Sequence, residues 1–251
     1  MKEEILEQNR KSWDKVAHHF HGVDTLPSYG PFAQTEDELE LLDDPKGSKV
    51  LELGFGSGHS LKYLKDKGAQ ELWGIDLSET QKNIAGKVLA GLAPHLFCGA
   101  MEQDHGLPVD YFDLVYSIYA LGWTTDLSGT LKLIHSYLKT GGSFIFSWDH
   151  PLYSHLKSES GRVYLESSYQ DEGQKVMENF KGEGAEMVVT KRKLSTYINA
   201  LIENGFRIER IIESEVPKEL KHVEAEISDR YYSLYKAHSF PTTMVIKAVK
   251  E

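Results

Sequence analysis

Short apolar runs alternate with stretches of helical periodicity through the middle of this chain. The runs have the length and composition of buried strands, and the stretches between them place apolar residues on one helical face. In chain order the predicted elements are strand 49–53, helix 59–67, strand 71–76, helix 78–90, strand 95–98, strand 112–118, helix 126–138 and strand 142–148. This repeated strand–helix order predicts a parallel sheet with helices on both faces.

The two flanks of this core follow other patterns. Residues 3–20 show a loose helical pattern, and a second helix is expected from about Thr35 to Leu42. After Asp149 the sequence becomes polar and irregular up to about Val188, which is typical of an insertion after the fifth strand. The elements predicted beyond it are helix 193–203, strand 206–212, a helix within 217–237 and strand 243–249.

Three glycines at alternate positions follow the first predicted strand: Gly54, Gly56 and Gly58. Glycine is needed where the backbone closely approaches a ligand or adopts a positive φ. A dinucleotide-binding loop would place its third glycine at His59, and the Lys-Ser/Thr pair of a phosphate-binding loop is absent. Glu52, just before the first glycine, would repel a pyrophosphate but attract an ammonium or sulfonium ion. S-adenosylmethionine carries both cations.

A second acidic position, Asp76, ends the next predicted strand about 20 residues beyond Gly54, where nucleoside-binding α/β folds hold the ribose hydroxyls. The two segments read VLELGFGSG and GIDLS. They resemble the first two motifs of class I S-adenosylmethionine-dependent methyltransferases, VLELGCGSG and GIDLS, with Phe55 where the family often has Cys. The resemblance implies a doubly wound, Rossmann-like α/β fold with a seven-stranded sheet. That sheet is mostly parallel and has a final antiparallel strand.

The resemblance also implies a division of the chain and a set of cofactor contacts. One domain over 1–251 would comprise an N-terminal helical lid (1–44), a cofactor-binding core (45–150), a substrate-capping insertion (151–190) and the remainder of the sheet (191–251). The implied cofactor-binding residues are Glu52, Gly54, Gly56, Gly58, Asp76, Leu77, Met101, Glu102 and Ser117. Met101 would pack on the adenine ring and Glu102 would take its amino group, although Gly99 stands where the family usually has Asp.

Candidates for acceptor binding lie at the same sheet edge and in the N-terminal segment. His150 follows the fifth strand and could take a hydroxyl proton near neutral pH, or it could simply cap the strand. Tyr119, at the end of the fourth strand, and Trp13 and Tyr29, in the lid, are candidate substrate contacts. The alternative for Trp13 and Tyr29 is that they pack the lid onto the domain.

Composition narrows the possible partners. A net charge of -10 and a pI near 5.6 disfavour a nucleic-acid backbone or an anionic membrane. A single cysteine, no apolar leader and no apolar run of membrane-spanning length favour a cytoplasmic protein. His18, His19 and His21 would project about 100° apart per residue on a helix, so we expect no metal site there.

We therefore expect a methyltransferase that transfers the methyl group of S-adenosylmethionine to an O, N or C nucleophile of a small molecule. One alternative is the same fold acting as a non-catalytic S-adenosylmethionine-binding module. A less favoured alternative is an NAD-dependent oxidoreductase, against which the glycine spacing and Glu52 both argue. The identity of the acceptor, the use of a general base and the oligomeric state are not encoded in a readable motif.

Overall fold

The computed structural model describes residues 2–22 and 25–251. Its helices are α1 Lys2–Val16, α2 Glu36–Leu39, α3 His59–Asp66, α4 Glu79–Val88, α5 Leu127–Tyr137, α6 Leu194–Glu203 and α7 Leu234–Ala237. Its strands are β1 Lys49–Leu53, β2 Glu71–Asp76, β3 His95–Cys98, β4 Phe112–Ile118, β5 Leu138–Asp149, β6 Leu156–Glu159, β7 Arg162–Leu165, β8 Gly173–Phe180, β9 Ala185–Lys191, β10 Phe206–Glu213 and β11 Thr243–Lys250. Short 3-10 turns cover Ala17–Phe20, Leu121–Trp123, Tyr153–His155 and Lys218–Leu220.

Seven strands form the central sheet in the order β10-β11-β5-β4-β1-β2-β3. The pairs β5–β4, β4–β1, β1–β2 and β2–β3 are parallel, whereas β11 runs antiparallel to both of its neighbours, β5 and β10. The strand order reverses between β1 and β4, and open α/β sheets bind ligands at the carboxyl ends of the strands beside such a reversal. The doubly wound, Rossmann-like sheet predicted from the sequence is therefore confirmed.

The sheet is covered on both faces, as its continuous apolar strands require. Successive strand residues point to opposite faces. Accordingly, Val115 of β4 packs in one layer with Leu131 of α5 and Leu201 of α6. Its neighbour Leu114 packs in the other layer with Leu61 of α3. Burial on both faces fixes the strand ends in space, and the site is built on those ends.

Two predicted helices are shorter than expected. Helix α2 ends at Leu39 instead of Leu42, because the buried Glu36 carboxylate accepts the N–H groups of Leu41 (3.1 Å) and Leu42 (2.8 Å) and turns the chain there. The helix expected within 217–237 is confined to one 3-10 turn and the four residues of α7. The polar side chains of that segment give it no continuous apolar face to bury.

The insertion forms two antiparallel hairpins, β6–β7 and β8–β9. Helix α1 packs on β9: the buried Asn9 side chain donates to the Val188 carbonyl and accepts the Val188 N–H, each at 2.8 Å. Ser12 adds a bond to the Glu186 carbonyl at 2.6 Å. We call α1, the turn Ala17–Phe20 and the β8–β9 hairpin the outer layer. Within the described residues, the helices all fall short of the length and apolar character needed to cross a membrane.

Candidate active site

The three glycines of the loop after β1 have different structural roles. Gly54 has φ +75°, and a Cβ there would lie 2.2 Å from the Cβ of Ala120. Gly58 has φ +79° and begins α3, where a Cβ would lie 3.0 Å from the Cβ of Ala85 on α4. Gly56, also at positive φ, has no protein atom within 4 Å of its would-be Cβ. Gly54 and Gly58 therefore serve close packing, and Gly56 leaves its space to a ligand.

Asp76 ties the two predicted motifs together. Its Oδ2 accepts the N–H of Gly56 and its Oδ1 accepts the N–H of Ser78, both at 2.8 Å. Burial of this carboxyl raises its pKa to about 6. The acid at the tip of β2 thus holds the glycine loop in shape while it lines the ligand cavity.

Glu52 is buried, with 2% of its surface exposed, and the Tyr116 hydroxyl donates to its Oε2 at 2.9 Å. Burial, assisted by the nearby charge of Asp76, raises the pKa of Glu52 to about 8 despite that hydrogen bond. A carboxyl held this way ionises more readily when a cation is placed beside it. The position favours a ligand bearing a positive charge.

The third predicted segment lies after β3. The Met101 side chain is half-buried against the core, and both it and Glu102 line the cavity. Glu102 Oε1 accepts the N–H and the hydroxyl of Thr125, each at 2.9 Å, which fixes the direction of this carboxylate. Ser117 is buried inside the sheet, where its hydroxyl donates to the Leu53 carbonyl at 3.0 Å.

One cavity of about 1040 Å³ extends from the glycine loop to the outer layer. Small-molecule sites commonly measure roughly 300–1,000 Å³, so this cavity has room for a nucleoside cofactor together with a second molecule. The predicted site residues that line it are Glu52, Gly54, Gly56, Asp76, Leu77, Met101, Glu102, Trp13 and Tyr119. In the described chain, Gly58, Ser117, Tyr29 and His150 are not brought to its wall.

Tyr29 and His150 are engaged elsewhere. Tyr29 is fully buried in the core and donates its hydroxyl to Glu36. His150 is buried with Nε2 at 3.0 Å from Glu213 Oε1, while its Nδ1 accepts the Leu152 N–H at 3.3 Å. Burial lowers the pKa of this imidazole. The geometry gives Tyr29 a packing position and puts both His150 nitrogens out of reach of a ligand in the cavity.

The residue before His150 lies on the cavity wall instead. Asp149 Oδ1 accepts the hydroxyls of Tyr119 at 2.5 Å and Tyr232 at 2.6 Å, and its Oδ2 accepts the Tyr231 hydroxyl at 3.1 Å. Burial raises the pKa of Asp149. Sequence reasoning missed Tyr231 and Tyr232; the available signal was the dense run of aromatic residues from Tyr231 to Tyr235 in a polar segment.

Aromatic rings from both parts of the outer layer form the opposite wall. The Trp13 ring of α1 lies 5.3 Å from Trp123, 5.1 Å from Phe20 and 6.0 Å from Phe180 of β8. The cationic side chains on this wall all come from the hairpin and the residue after it: Lys175, Lys181, Lys191 and Arg192. The resemblance had implied a substrate-capping role for this insertion, but no motif singled out these side chains.

The expectation that the N-terminal histidines diverge is wrong for two of them. His18 and His19 lie in a 3-10 turn, and their Nε2 atoms lie 3.3 Å and 3.0 Å from Glu183 Oε1 on the hairpin. The ligand atoms of the three side chains fall within 4.8 Å of one another. The group is largely solvent-exposed, and its contacts, which include the His19–Glu183 hydrogen bond, link the turn to the β8–β9 hairpin.

A glycine loop, an acid at the tip of β2 and a buried carboxyl, all beside the reversal of strand order, define a nucleoside-binding α/β enzyme. The groups present suit S-adenosylmethionine. Gly56 leaves open space for the ligand, and the carboxyls of Glu52 and Asp76, both with raised pKa, face the place of its cationic part. A family model described as a methyltransferase domain matches residues 32–184. The chain belongs to the class I S-adenosylmethionine-dependent methyltransferases, and its cofactor is S-adenosylmethionine.

Relatives support this membership without fixing the acceptor. An uncharacterized protein of Haemophilus influenzae is 31% identical over 70% of this chain and 73% of its own length. Phosphoethanolamine N-methyltransferase of Plasmodium falciparum is 26% identical over 79% of this chain and 76% of its own length. Other relatives, named for acyl-carrier-protein and rRNA acceptors, match over about half of their length.

A solved structure shows the same fold over most of the chain. The S-adenosylmethionine dependent methyltransferase from Mesorhizobium loti superposes with a TM-score of 0.72 at 27% identity. The match covers 84% of this chain and 95% of that one. The match extends beyond the cofactor-binding motifs to most of the remaining architecture.

Proposed function

We propose that this enzyme methylates an O, N or C nucleophile of a small molecule held between the sheet edge and the outer layer. The observation that carries the proposal is the single cavity shared by the glycine loop, Asp149 and the aromatic residues of α1 and β8. A cavity roofed by a helix and a hairpin suits a small acceptor better than a polymer. We thereby propose that one domain comprises four segments with separate roles: the lid (1–44), the core (45–150), the insertion (151–190) and the remainder (191–251).

On the sheet side, we assign the cofactor contacts as follows. Gly54 and Gly56 admit the methionine half, Glu52 attracts its positive charge, and Asp76 with Leu77 holds the ribose. Met101 and Glu102 frame the adenine. Gly58 and Ser117 support the loop from behind, since one packs against α4 and the other bonds the end of β1.

On the outer side, Trp13 and Tyr119 bound the acceptor. The cofactor supplies a methyl group on a sulfonium centre, and transfer is an in-line displacement governed by positioning. Trp13, with its neighbouring rings, excludes water and orients the acceptor. Where the nucleophile bears a proton, Asp149 is better placed than His150 to receive it, through the Tyr232 hydroxyl that donates to it. His150 and Tyr29 then act by holding their segments in position.

An RNA acceptor is the rival within the family. The net charge of -10 opposes it, because binding to a phosphate backbone relies on cationic surfaces. The single cysteine supports a cytoplasmic location.

A labelled-transfer experiment tests the proposal. The protein is incubated with tritium-methyl S-adenosylmethionine and an extract divided into small-molecule, protein and RNA fractions. Label should move only into the small-molecule fraction, and Asp76→Ala should lower the transfer at cofactor concentrations below saturation. Label in RNA would overturn the choice of acceptor, and calorimetry that detects binding of NAD but not of S-adenosylmethionine would overturn the cofactor assignments.

A further inference from the structure

Most of the charged residues that line the cavity are separated by sign. Its acids Glu52, Asp76 and Glu102 lie at or just beyond strand ends around the place of the cofactor, and a fourth acid, Asp149, ends β5 on the acceptor side. Its lysines and arginine all stand on the hairpin wall: Lys175, Lys181, Lys191 and Arg192. Such a concentration of cations is unexpected in a chain with a net charge of -10, and a cleft focuses the field of the charges that line it.

Two of these cations point into the cavity from one face of the hairpin. Lys175 pairs with Val189 and Lys191 pairs with Gly173, so the two lysines are diagonal neighbours. Diagonal positions on paired strands lie roughly 7–8 Å apart. Among residues 2–22 and 25–251, no carboxylate pairs with either ammonium group and neither forms a hydrogen bond; the Lys175 Nζ lies 6.0 Å from the centroid of the Tyr231 ring. Burial together with the charge of Lys175 lowers the pKa of Lys191.

The remaining charged groups on the acceptor side are already engaged. Asp149 accepts three tyrosine hydroxyls, which leaves it little capacity for a ligand cation. Arg192 donates to the carbonyls of Gly122 at 3.3 Å and Thr124 at 2.6 Å. Lys181 lies over the Phe20 ring, 5.0 Å from its centroid. Lys175 has only a longer ring contact, 6.0 Å from the Tyr231 centroid, so Lys175 and Lys191 are the cations most available to a bound molecule.

We propose that the methyl acceptor is an organic anion, with an apolar or aromatic body and a carboxylate or phosphate group held between Lys175 and Lys191. The body lies against the wall formed by Trp13, Trp123 and Phe180. This proposal rests on the proposed function and specifies the acceptor class of the same cavity. It also accounts for the position of the hairpin. The hairpin carries both lysines and Phe180, and it binds α1, which supplies Trp13 to the aromatic wall.

Intrinsic fluorescence provides the test, because Trp13, Trp123 and Trp148 line the cavity. The full-length protein, saturated with S-adenosylhomocysteine, is titrated with phenyl phosphate, benzoate and benzylamine. We expect saturable quenching by at least one of the two anions and none by benzylamine; the preferred anion distinguishes phosphate from carboxylate. The double variant Lys175→Gln/Lys191→Gln should weaken anion binding at least tenfold.

Lys132→Gln is the matched control, since Lys132 is exposed on α5 outside the cavity, and it should leave anion binding unchanged. Binding of benzylamine alone, absence of saturable binding by both anions, or unchanged anion binding in the double variant would each overturn the proposal. Calorimetry with S-adenosylhomocysteine distinguishes a failure of the acceptor class from a failure of the proposed function. If the cofactor product binds normally, such a failure concerns the acceptor class; if it does not bind, the proposed function fails as well.

Discussion

The two sides of the cavity differ in construction. The sheet side consists of strand ends and tight turns, where Asp76 is held by the backbone N–H groups of Gly56 and Ser78 and Glu52 by the Tyr116 hydroxyl. The outer layer consists of side chains from α1 and a hairpin, and rings and lysines form most of its cavity surface. The cofactor side carries carboxyl groups, whereas the acceptor side carries the lysines and Arg192 together with one carboxyl, Asp149.

This difference explains how one fold can serve many acceptors. The proposed cofactor contacts depend on the backbone at the ends of buried strands, so a change there disturbs the sheet. Apart from Tyr119 and Asp149, the proposed acceptor contacts lie on elements outside the sheet, which can change without loss of the core. Substitutions on the two sides should therefore separate cofactor binding from acceptor binding.

The largest effect on cofactor affinity is expected from Gly54→Ala. The new Cβ would meet Ala120 at 2.2 Å in a left-handed backbone conformation, so we expect loss of cofactor binding and a fall of about 2–5 kcal/mol in the free energy of unfolding. Gly56→Ala is the matched variant: with open space around its Cβ it should destabilise by only about 1 kcal/mol yet still impair binding. Urea unfolding measures the stability of each variant, and calorimetry measures its affinity for the cofactor. Equal destabilisation would show that the Ala120 contact is not decisive.

Asp76→Ala should weaken S-adenosylmethionine binding by about 1.5–3 kcal/mol, through loss of hydrogen bonds to the ribose. It should also cost about 1–2 kcal/mol of stability, because the N–H groups of Gly56 and Ser78 lose their acceptor. Asp66→Ala, at the exposed end of α3, is the control and should change neither quantity appreciably. Unchanged affinity in a destabilised Asp76 variant would make this acid purely structural.

The pH dependence of cofactor affinity sharpens the electrostatic part of the comparison. With a pKa of about 8, the Glu52 carboxyl is largely protonated at pH 6–7, and a bound cation must displace its proton. Affinity for S-adenosylmethionine should therefore rise between about pH 6 and 8, by up to about tenfold per pH unit. Calorimetry in buffers of different ionisation enthalpy would detect the released proton. Glu52→Gln should flatten the profile, and an equally steep profile in that variant would assign the titration to another group.

The same raised pKa has the opposite effect on stability without cofactor. The folded protein retains a proton on Glu52 that the unfolded chain loses above about pH 4.5. Its free energy of unfolding should therefore decrease as pH rises from about 4.5 towards 8, and less so in Glu52→Gln. Urea titrations across this range measure the slope.

The smallest effect on cofactor affinity is expected from Asn9→Ala in the outer layer. The substitution leaves the N–H and carbonyl of Val188 unpaired, so α1 should separate from β9 more often. Hydrogen exchange in both segments should accelerate, while cofactor affinity changes by less than about threefold. Lys11→Ala, on the exposed side of the same helix, should leave the exchange rates as they are. A large loss of cofactor affinity would show that the outer layer and the cofactor side are energetically coupled.

The sequence by itself determined the sheet, the family and the cofactor. Apolar runs such as 49–53 and 112–118 form strands because burial on both faces leaves them no other arrangement. The loop from Gly54 to Gly58 and the acid Asp76 are local features, readable because their roles depend on backbone conformation and on neighbours in the chain.

Tertiary structure alone decided the acceptor side. Asp149 meets Tyr231 and Tyr232 only because β11 returns beside β5 and brings the preceding segment to the strand ends. His150, one residue along, points into the protein, since alternate residues of an extended chain face opposite sides. Trp13 and Lys175 share a cavity because Asn9 binds the backbone of β9. Such contacts between distant segments depend on packing, for which the sequence holds no local signal.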